Sequence, residues 1–218
     1  MKIAKIFAFA MLLSSVVTAQ NKKIKLINEG RIVYDIAIEG EMNPMMAAMM
    51  PTEMTMYMKD HKIRTELSGT GWSSITIADT KERSNVTLID MMGKKMAKKM
   101  TSEEIDKNYT EHKPTINILK ETKDIAGFKC TKAEIVNSKG EKSYVYFTKA
   151  ISIRNGTNLN LRDLDGFLME YQINQNGINM KVTAKGINGA YKVSSNMFTI
   201  PEGYEELSKD DIKKLGNK

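Results

Sequence analysis

Strict alternation of apolar residues constrains this chain more than any other feature. Ile32, Tyr34, Ile36 and Ile38 are separated by Val33, Asp35, Ala37 and Glu39, a period of two that an extended strand sorts onto opposite faces. Met54, Met56 and Met58 alternate in the same way with Thr55 and Tyr57. So do Ile75 and Ile77, Ile116 and Ile118, Ala133 and Ile135, and the run Phe167, Met169, Tyr171, Ile173. Asn176-Gly177 then precedes a further alternating run, Ile178, Met180, Val182, Ala184, which is the sequence signature of a tight hairpin.

Helical signals are few. Thr101 and Glu104 have capping-box spacing, which predicts a short helix ending near Lys107. Ser208 to Asp211 introduces another over 212–215, stopped by Gly216. About nine or ten strands, each with an apolar face, present more apolar surface than two short helices can cover. The expected fold is therefore mainly β: a single strongly curved antiparallel sheet, an open half-barrel, with a few short covering helices.

The chain opens with Lys2 and Lys5, an apolar run from Ile6 to Val17, and Val17-Thr18-Ala19, the pattern of a cleavable secretory leader. Residues 1–19 are expected to be that leader and residues 20–218 one domain. The leader's apolar run is shorter than the roughly 20 residues a spanning helix needs, and no later segment is longer, so no transmembrane segment is expected in the mature chain. Removing Lys2 and Lys5 lowers the formal charge of +7 by two. This dispersed lysine excess favours solubility and gives no sign of nucleic-acid binding. No cysteine lies near the cleavage point, so a free periplasmic or secreted protein is expected. The single Cys130 has no partner for an internal disulfide and reads as a small buried hydrophobe.

The stretch NPMMAAMMPTEMTMYM, 43–58, gathers seven methionines. Asn43 suits an N-cap and Pro44 a first helical position, while Pro51 disfavours helix before it. Met45, Met46, Met49 and Met50 then share one stripe of a two-turn helix that leads into a methionine-faced strand. Methionine is unbranched and adaptable, and it serves equally as a filler of irregular cores or as the lining of a site for greasy ligands. The candidate ligand-binding residues are accordingly Met45, Met46, Met49, Met50, Met54, Met56 and Met58, with Trp72, the only tryptophan. Thioethers also suit monovalent copper, which makes Met42, Met45, Met46, Met49 and Met50 a candidate soft-metal set.

MMGKKMAKKM, 91–100, reads as a turn and an exposed lysine-rich strand, the kind that resists edge pairing. Asp163-Leu-Asp165-Gly166 lacks the remaining ligands of a calcium loop and reads as a turn. No nucleophile elbow, zinc-binding helix motif or phosphate-cradling loop occurs, and His61 and His112 are the only imidazoles. Neither catalysis nor a cofactor is expected.

The segments KETKDIAGFKCTKAEI (120–135), LDGFLMEYQI (164–173) and MFTIPEGYEEL (197–207) resemble a secreted bacterial family catalogued only as a domain of unknown function. That family is similar in pattern to the periplasmic lipoprotein carriers and their outer-membrane receptors. The resemblance implies an open antiparallel half-barrel closed on its concave side by short helices.

Three functional expectations follow. The first is a noncatalytic periplasmic or secreted protein that holds a lipid acyl chain or another hydrophobic ligand under the 44–50 helix. The second is a methionine-based binder of monovalent copper. The third is a cell-envelope module that recruits a protein and takes no small ligand.

Overall fold

The computed structural model of the chain describes residues 26–153, 159–175 and 177–207. The expected leader, Asn176 and the expected helix at 212–215 lie outside the described residues. Among the described residues eleven antiparallel strands follow one another: β1 (Glu29–Glu39), β2 (Glu53–Lys59), β3 (Lys62–Gly69), β4 (Trp72–Asp79), β5 (Ser84–Met91), β6 (Lys94–Met100), β7 (Thr115–Ile125), β8 (Phe128–Val136), β9 (Lys142–Thr148), β10 (Phe167–Gln175) and β11 (Ile178–Asn188). A two-residue β12 (Glu205–Glu206) pairs in parallel with β6. All twelve lie in one sheet, ordered β12-β6-β5-β4-β3-β2-β1-β11-β10-β9-β8-β7.

The fold is mainly β, one large open sheet with few short helices, as alternation predicts. The strand number exceeds the expected nine or ten because some strands carry weak patterns. In β3, KIRTELSG, only Ile63 and Leu67 are aliphatic, so its place between β2 and β4 is set by pairing more than by its own periodicity. The expected hairpin is present, with Gln175 paired to Ile178.

Among the described residues two α-helices interrupt the strands: α1 (Pro44–Ala47) and α2 (Ser102–His112). The position of α2 explains the curvature. It joins β6, beside one edge of the sheet, to β7 at the other. Laid flat, the ten strand gaps between β6 and β7 span about 48 Å at 4.8 Å each. The connection from Met100 to Thr115 reaches at most about 30 Å, since most of it rises only 1.5 Å per residue. The sheet therefore curls toward itself, and register shifts at Val33/Tyr34 and Leu168/Glu170 supply local bends.

The apolar face of the curl holds two packed clusters. One centres on Ile32, Tyr34, Met54, Met56, Met58, Met169 and Val182, the other on Ala133, Ile135, Val145, Phe147, Leu161, Leu164 and Leu168. Tyr171 packs against both. Tyr34 is fully buried and its hydroxyl donates to the Leu168 carbonyl at 3.0 Å, which satisfies the one polar atom that its burial would otherwise strand.

After β11 the chain returns across the first half of the sheet. Tyr191 meets the Tyr57 ring with centroids 5.8 Å apart, Lys59 Nζ donates to the Val193 carbonyl at 3.0 Å, and Arg64 Nη1 donates to the Met197 carbonyl at 2.9 Å. The segment ends on the β6 edge, where Leu207 N donates to Ala97 O at 2.8 Å.

Candidate functional site

The strap formed by α2 begins with the expected capping box. Glu104 N donates to Thr101 Oγ1 at 3.3 Å, and Thr101 N donates to Glu104 Oε2 at 3.1 Å. The helix continues to His112, past the expected end near Lys107. Local propensity predicts the start, but tertiary contact supports the later turns. Ile105 and Tyr109, four residues apart on one face, are both buried.

Asp106 on the same helix receives Arg83 from the β4–β5 turn at 2.9 Å and Arg162 at 2.5 Å. The Arg162 guanidinium lies 3.6 Å from the Tyr109 ring centroid, within cation–π range. Tyr109 donates its hydroxyl to Asp163, and Lys113 pairs with the same carboxylate at 3.1 Å. Burial first, and the Asp163 hydrogen bond second, raise the Tyr109 hydroxyl above its ordinary value. The Tyr109 hydroxyl and then Lys113 hold the Asp163 carboxyl below its own. Asp163 of the Asp-Leu-Asp-Gly turn thus anchors the helix.

Two cavities flank this anchor. The first, about 420 Å³, opens between the C-terminal end of α2, β8–β10 and the 3-10 turn Leu159–Leu161. Its floor is Ile135, Val145, Leu161 and Tyr171, and its rim carries Asn108, His112, Asn137, Ser143, Asn160 and Gln172. Among the described residues its lining includes no carboxylate. His112 is turned back on its helix, with Nδ1 3.0 Å from the Asn108 carbonyl oxygen. The second cavity, about 460 Å³, lies beside β7 and is lined by Ile116, Ile118, Phe147 and Leu164 with Lys113 and Lys149 at its margin. Both volumes fall in the range of small-molecule sites.

The candidate methionines divide into two groups. Met54, Met56 and Met58 are buried in the first core cluster, each between an opposite residue on β1 and another on β3. Neither cavity is lined by them. Met45, Met46 and Met49 are exposed and Met50 half-buried. The helix α1 stops at Ala47, short of the expected Met50, because Met49 N and Met50 N donate to residues three back, Met46 and Ala47, tightening the end into a turn.

The α1 segment docks on the β3–β4 turn. Trp72 Nε1 donates to Met49 O at 3.2 Å, and Thr70 Oγ1 donates to Ala48 O at 3.1 Å. Met91 stands directly opposite Trp72, and Met92 N donates to Gly71 O at 3.0 Å. Sequence reasoning left out Met91 and Met92 because only strand pairing brings them to Trp72. It also left out Asn108, His112, Asn137 and Gln172, which come from separate elements and share no motif.

Cys130 is buried and donates to the Phe128 carbonyl at 3.2 Å. Desolvation pushes its thiol up to about 11, which leaves it a poor nucleophile at neutral pH.

Comparison with known proteins adds the family. The solved structure of PNGF-II in the P21 space group superposes with a TM-score of 0.59 at 14% identity, covering 86% of this chain and 33% of that one. A second form of PNGF-II, in space group C2, gives 0.51 at 15% identity, covering 86% and 32%. The chain thus spans about a third of the length of these solved proteins, and at this identity the likeness speaks for the fold alone. No curated protein matches the chain. The family that matches is not the one the sequence resembles. What the two have in common here is the architecture that the resemblance implied, an open β-sheet with short helices. The family described as N-glycanase peptide, N-terminal domain, matches residues 39–211, more than half of the sequence, and this chain belongs to it.

Proposed function

We propose that the protein is a noncatalytic binding module that holds an oligosaccharide in the cavity between α2 and β8–β10. The observation that carries this reading is the lining of that cavity. Amides of Asn108 and Asn160, the Ser143 hydroxyl and the Gln172 side chain, whose Nε2 donates to Glu39 at 2.9 Å, surround an aliphatic and aromatic floor, while the Asn137 amide is held in its own turn by Lys139 N, Glu141 N and the Glu141 carboxylate. Such a combination suits sugars, whose hydroxyl and acetamido groups need paired donors and acceptors and whose ring C–H faces need apolar contact. A lining without a carboxylate and with His112 bound to its own helix supports binding over glycoside hydrolysis, which ordinarily uses a carboxyl pair. Membership of a family described by an N-glycanase's N-terminal domain is in keeping with a glycan ligand. The reading retains the sequence expectation that residues 1–19 are removed and the module works in the periplasm or outside the cell.

A second reading keeps the hydrophobic ligand expected from sequence and moves it to the cavity beside β7. Ile118 there is 57% exposed next to Ile116, Phe147 and Leu164, an apolar trough suited to an acyl chain. Titration with N,N′-diacetylchitobiose and, separately, with a medium-chain fatty acid, followed by amide NMR, discriminates between the two. The first reading expects shifts at Asn108, Asn137 and Gln172, and about tenfold weaker binding for Gln172→Ala. Shifts confined to Ile116, Ile118 and Phe147 on fatty acid would replace it with the second. No response to either ligand would leave the third expectation, a cell-envelope interaction module.

A further inference from the structure

Five exposed methionines lie on three segments joined at one rim of the sheet, and core packing does not account for them. Met45, Met46, Met49, Met91 and Met92 make up most of the exposed large hydrophobic side chains among the described residues. They come from three segments that hydrogen bonds tie together: α1 and its following turn, the β3–β4 turn, and the β5–β6 turn. Met92 is the least expected. It is 90% exposed and holds a left-handed backbone with φ +52° in the two-residue turn Met92-Gly93. That position favours Asn, Asp or Gly, so a methionine there costs backbone energy and gains no burial. Ala126 holds the same left-handed conformation in the Ala126-Gly127 turn, so what sets Met92 apart is a 90% exposed thioether beside the other four methionines.

The residue choice narrows the function. The chain has 17 methionines and 12 leucines, although leucine is ordinarily among the commonest residues. Plain apolar docking is served as well by leucine or isoleucine. The thioether differs from them in being a soft donor for monovalent copper. Among the described residues no group of three or more His, Cys, Asp or Glu is placed to hold a metal, so harder divalent ions find no comparable set.

We infer that this rim binds a soft monovalent cation, copper(I), through the thioethers of Met49, Met91 and Met92, with Met45 and Met46 in the same patch. Because these side chains are unpacked and have three rotatable bonds, their sulfur atoms can turn onto one ion while the backbone stays in place. Trp72, beside Met49 and opposite Met91, offers an indole face to the bound charge. His61 lies in the β2–β3 turn at the other end of these strands, paired with Asp79 at 3.3 Å, and Cys130 is buried. The site is separate from the cavity proposed for sugar.

The test uses the purified chain carrying Cys130→Ala, which removes the thiol. Silver(I) serves as the air-stable probe, and copper(I) is added under reductant. Fluorescence of Trp72, the only tryptophan, should change and saturate near one equivalent. Methyl NMR signals of Met45, Met46, Met49, Met91 and Met92 should shift, while those of the buried Met54, Met56 and Met58 stay. The combined variant Met49→Leu, Met91→Leu, Met92→Leu preserves apolar area, and these exposed positions should leave the urea midpoint unchanged. It should bind silver(I) at least about tenfold more weakly. Undiminished binding by the leucine variant, or unmoved methyl and tryptophan signals at stoichiometric metal, would overturn the inference. Association with lipid vesicles that survives the leucine substitutions, without a metal response, would also overturn it in favour of simple apolar docking.

Discussion

Glu170 shows how a single residue is held in this fold. It is only 7% exposed, and desolvation alone would raise its carboxyl. Lys123 at 2.8 Å, Lys181 at 3.4 Å and the Thr183 hydroxyl at 3.1 Å surround it and together hold it below the ordinary value. Two buried groups, Cys130 and Tyr34, and the half-buried Tyr171 act in the opposite sense. Burial pushes the Cys130 thiol up to about 11 and raises the Tyr171 hydroxyl further above its ordinary value. Tyr34 is raised by burial and then by its neighbour Tyr171. In each case the folded protein keeps a proton that the unfolded chain releases above about pH 8.5 to 10. Their contribution to stability is therefore complete below those unfolded values and is lost as pH rises through them toward the folded ones. The expected outcome is a urea midpoint that falls between about pH 8 and about pH 11, with a shallower fall in Tyr171→Phe. A flat midpoint over that range would contradict the assignment. Iodoacetamide should modify Cys130 in the unfolded chain far faster than in the folded one.

Among the elements, α1 is the most dependent on its surroundings. A four-residue helix is not stable alone, and what places it is the close approach of the Met49 carbonyl to β3. A Cβ on Gly69 would lie 2.2 Å from Met49 O and 2.5 Å from Trp72 Nε1. Gly69→Ala should therefore displace the 44–50 segment and cost about 1–3 kcal/mol, seen as a lower urea midpoint. It should also move the Trp72 emission to longer wavelength as the indole loses its carbonyl partner. If both readouts stay at wild-type values, α1 is not seated as described. The contrast with α2 is instructive. The Thr101 capping box was legible in sequence, because a cap is local. The helix's true length was not, because Arg83, Arg162 and Asp163, which hold its later turns, come from distant parts of the chain.

At the scale of the whole molecule, the sheet is completed by the segment after β11. Val193 is buried, and the run from Tyr191 to Leu207 touches β2, β3 and β6 in turn. Truncation after Ala190 removes these contacts and should cost about 3 kcal/mol or more, from one buried aliphatic side chain and several hydrogen bonds. Thermal unfolding of the truncated chain should begin well below that of the full chain. An unchanged midpoint would mean the segment contributes no net stability. The sequence by itself determined the mainly β class, the hairpin that pairs β10 with β11 and the alternating strands, because a period of two is a local property that any extended backbone converts into two faces. It also determined that helices would be too few to cover those faces. Tertiary structure alone decided which methionines became core and which became rim: Met54, Met56 and Met58 are enclosed by β1 and β3, whereas Met91 and Met92 reach Trp72 only through strand register. It alone assembled the cavity from α2, β8, β9 and β10 as well, since a short strap that must join opposite edges of a long sheet forces those elements together, and no local pattern encodes that closure.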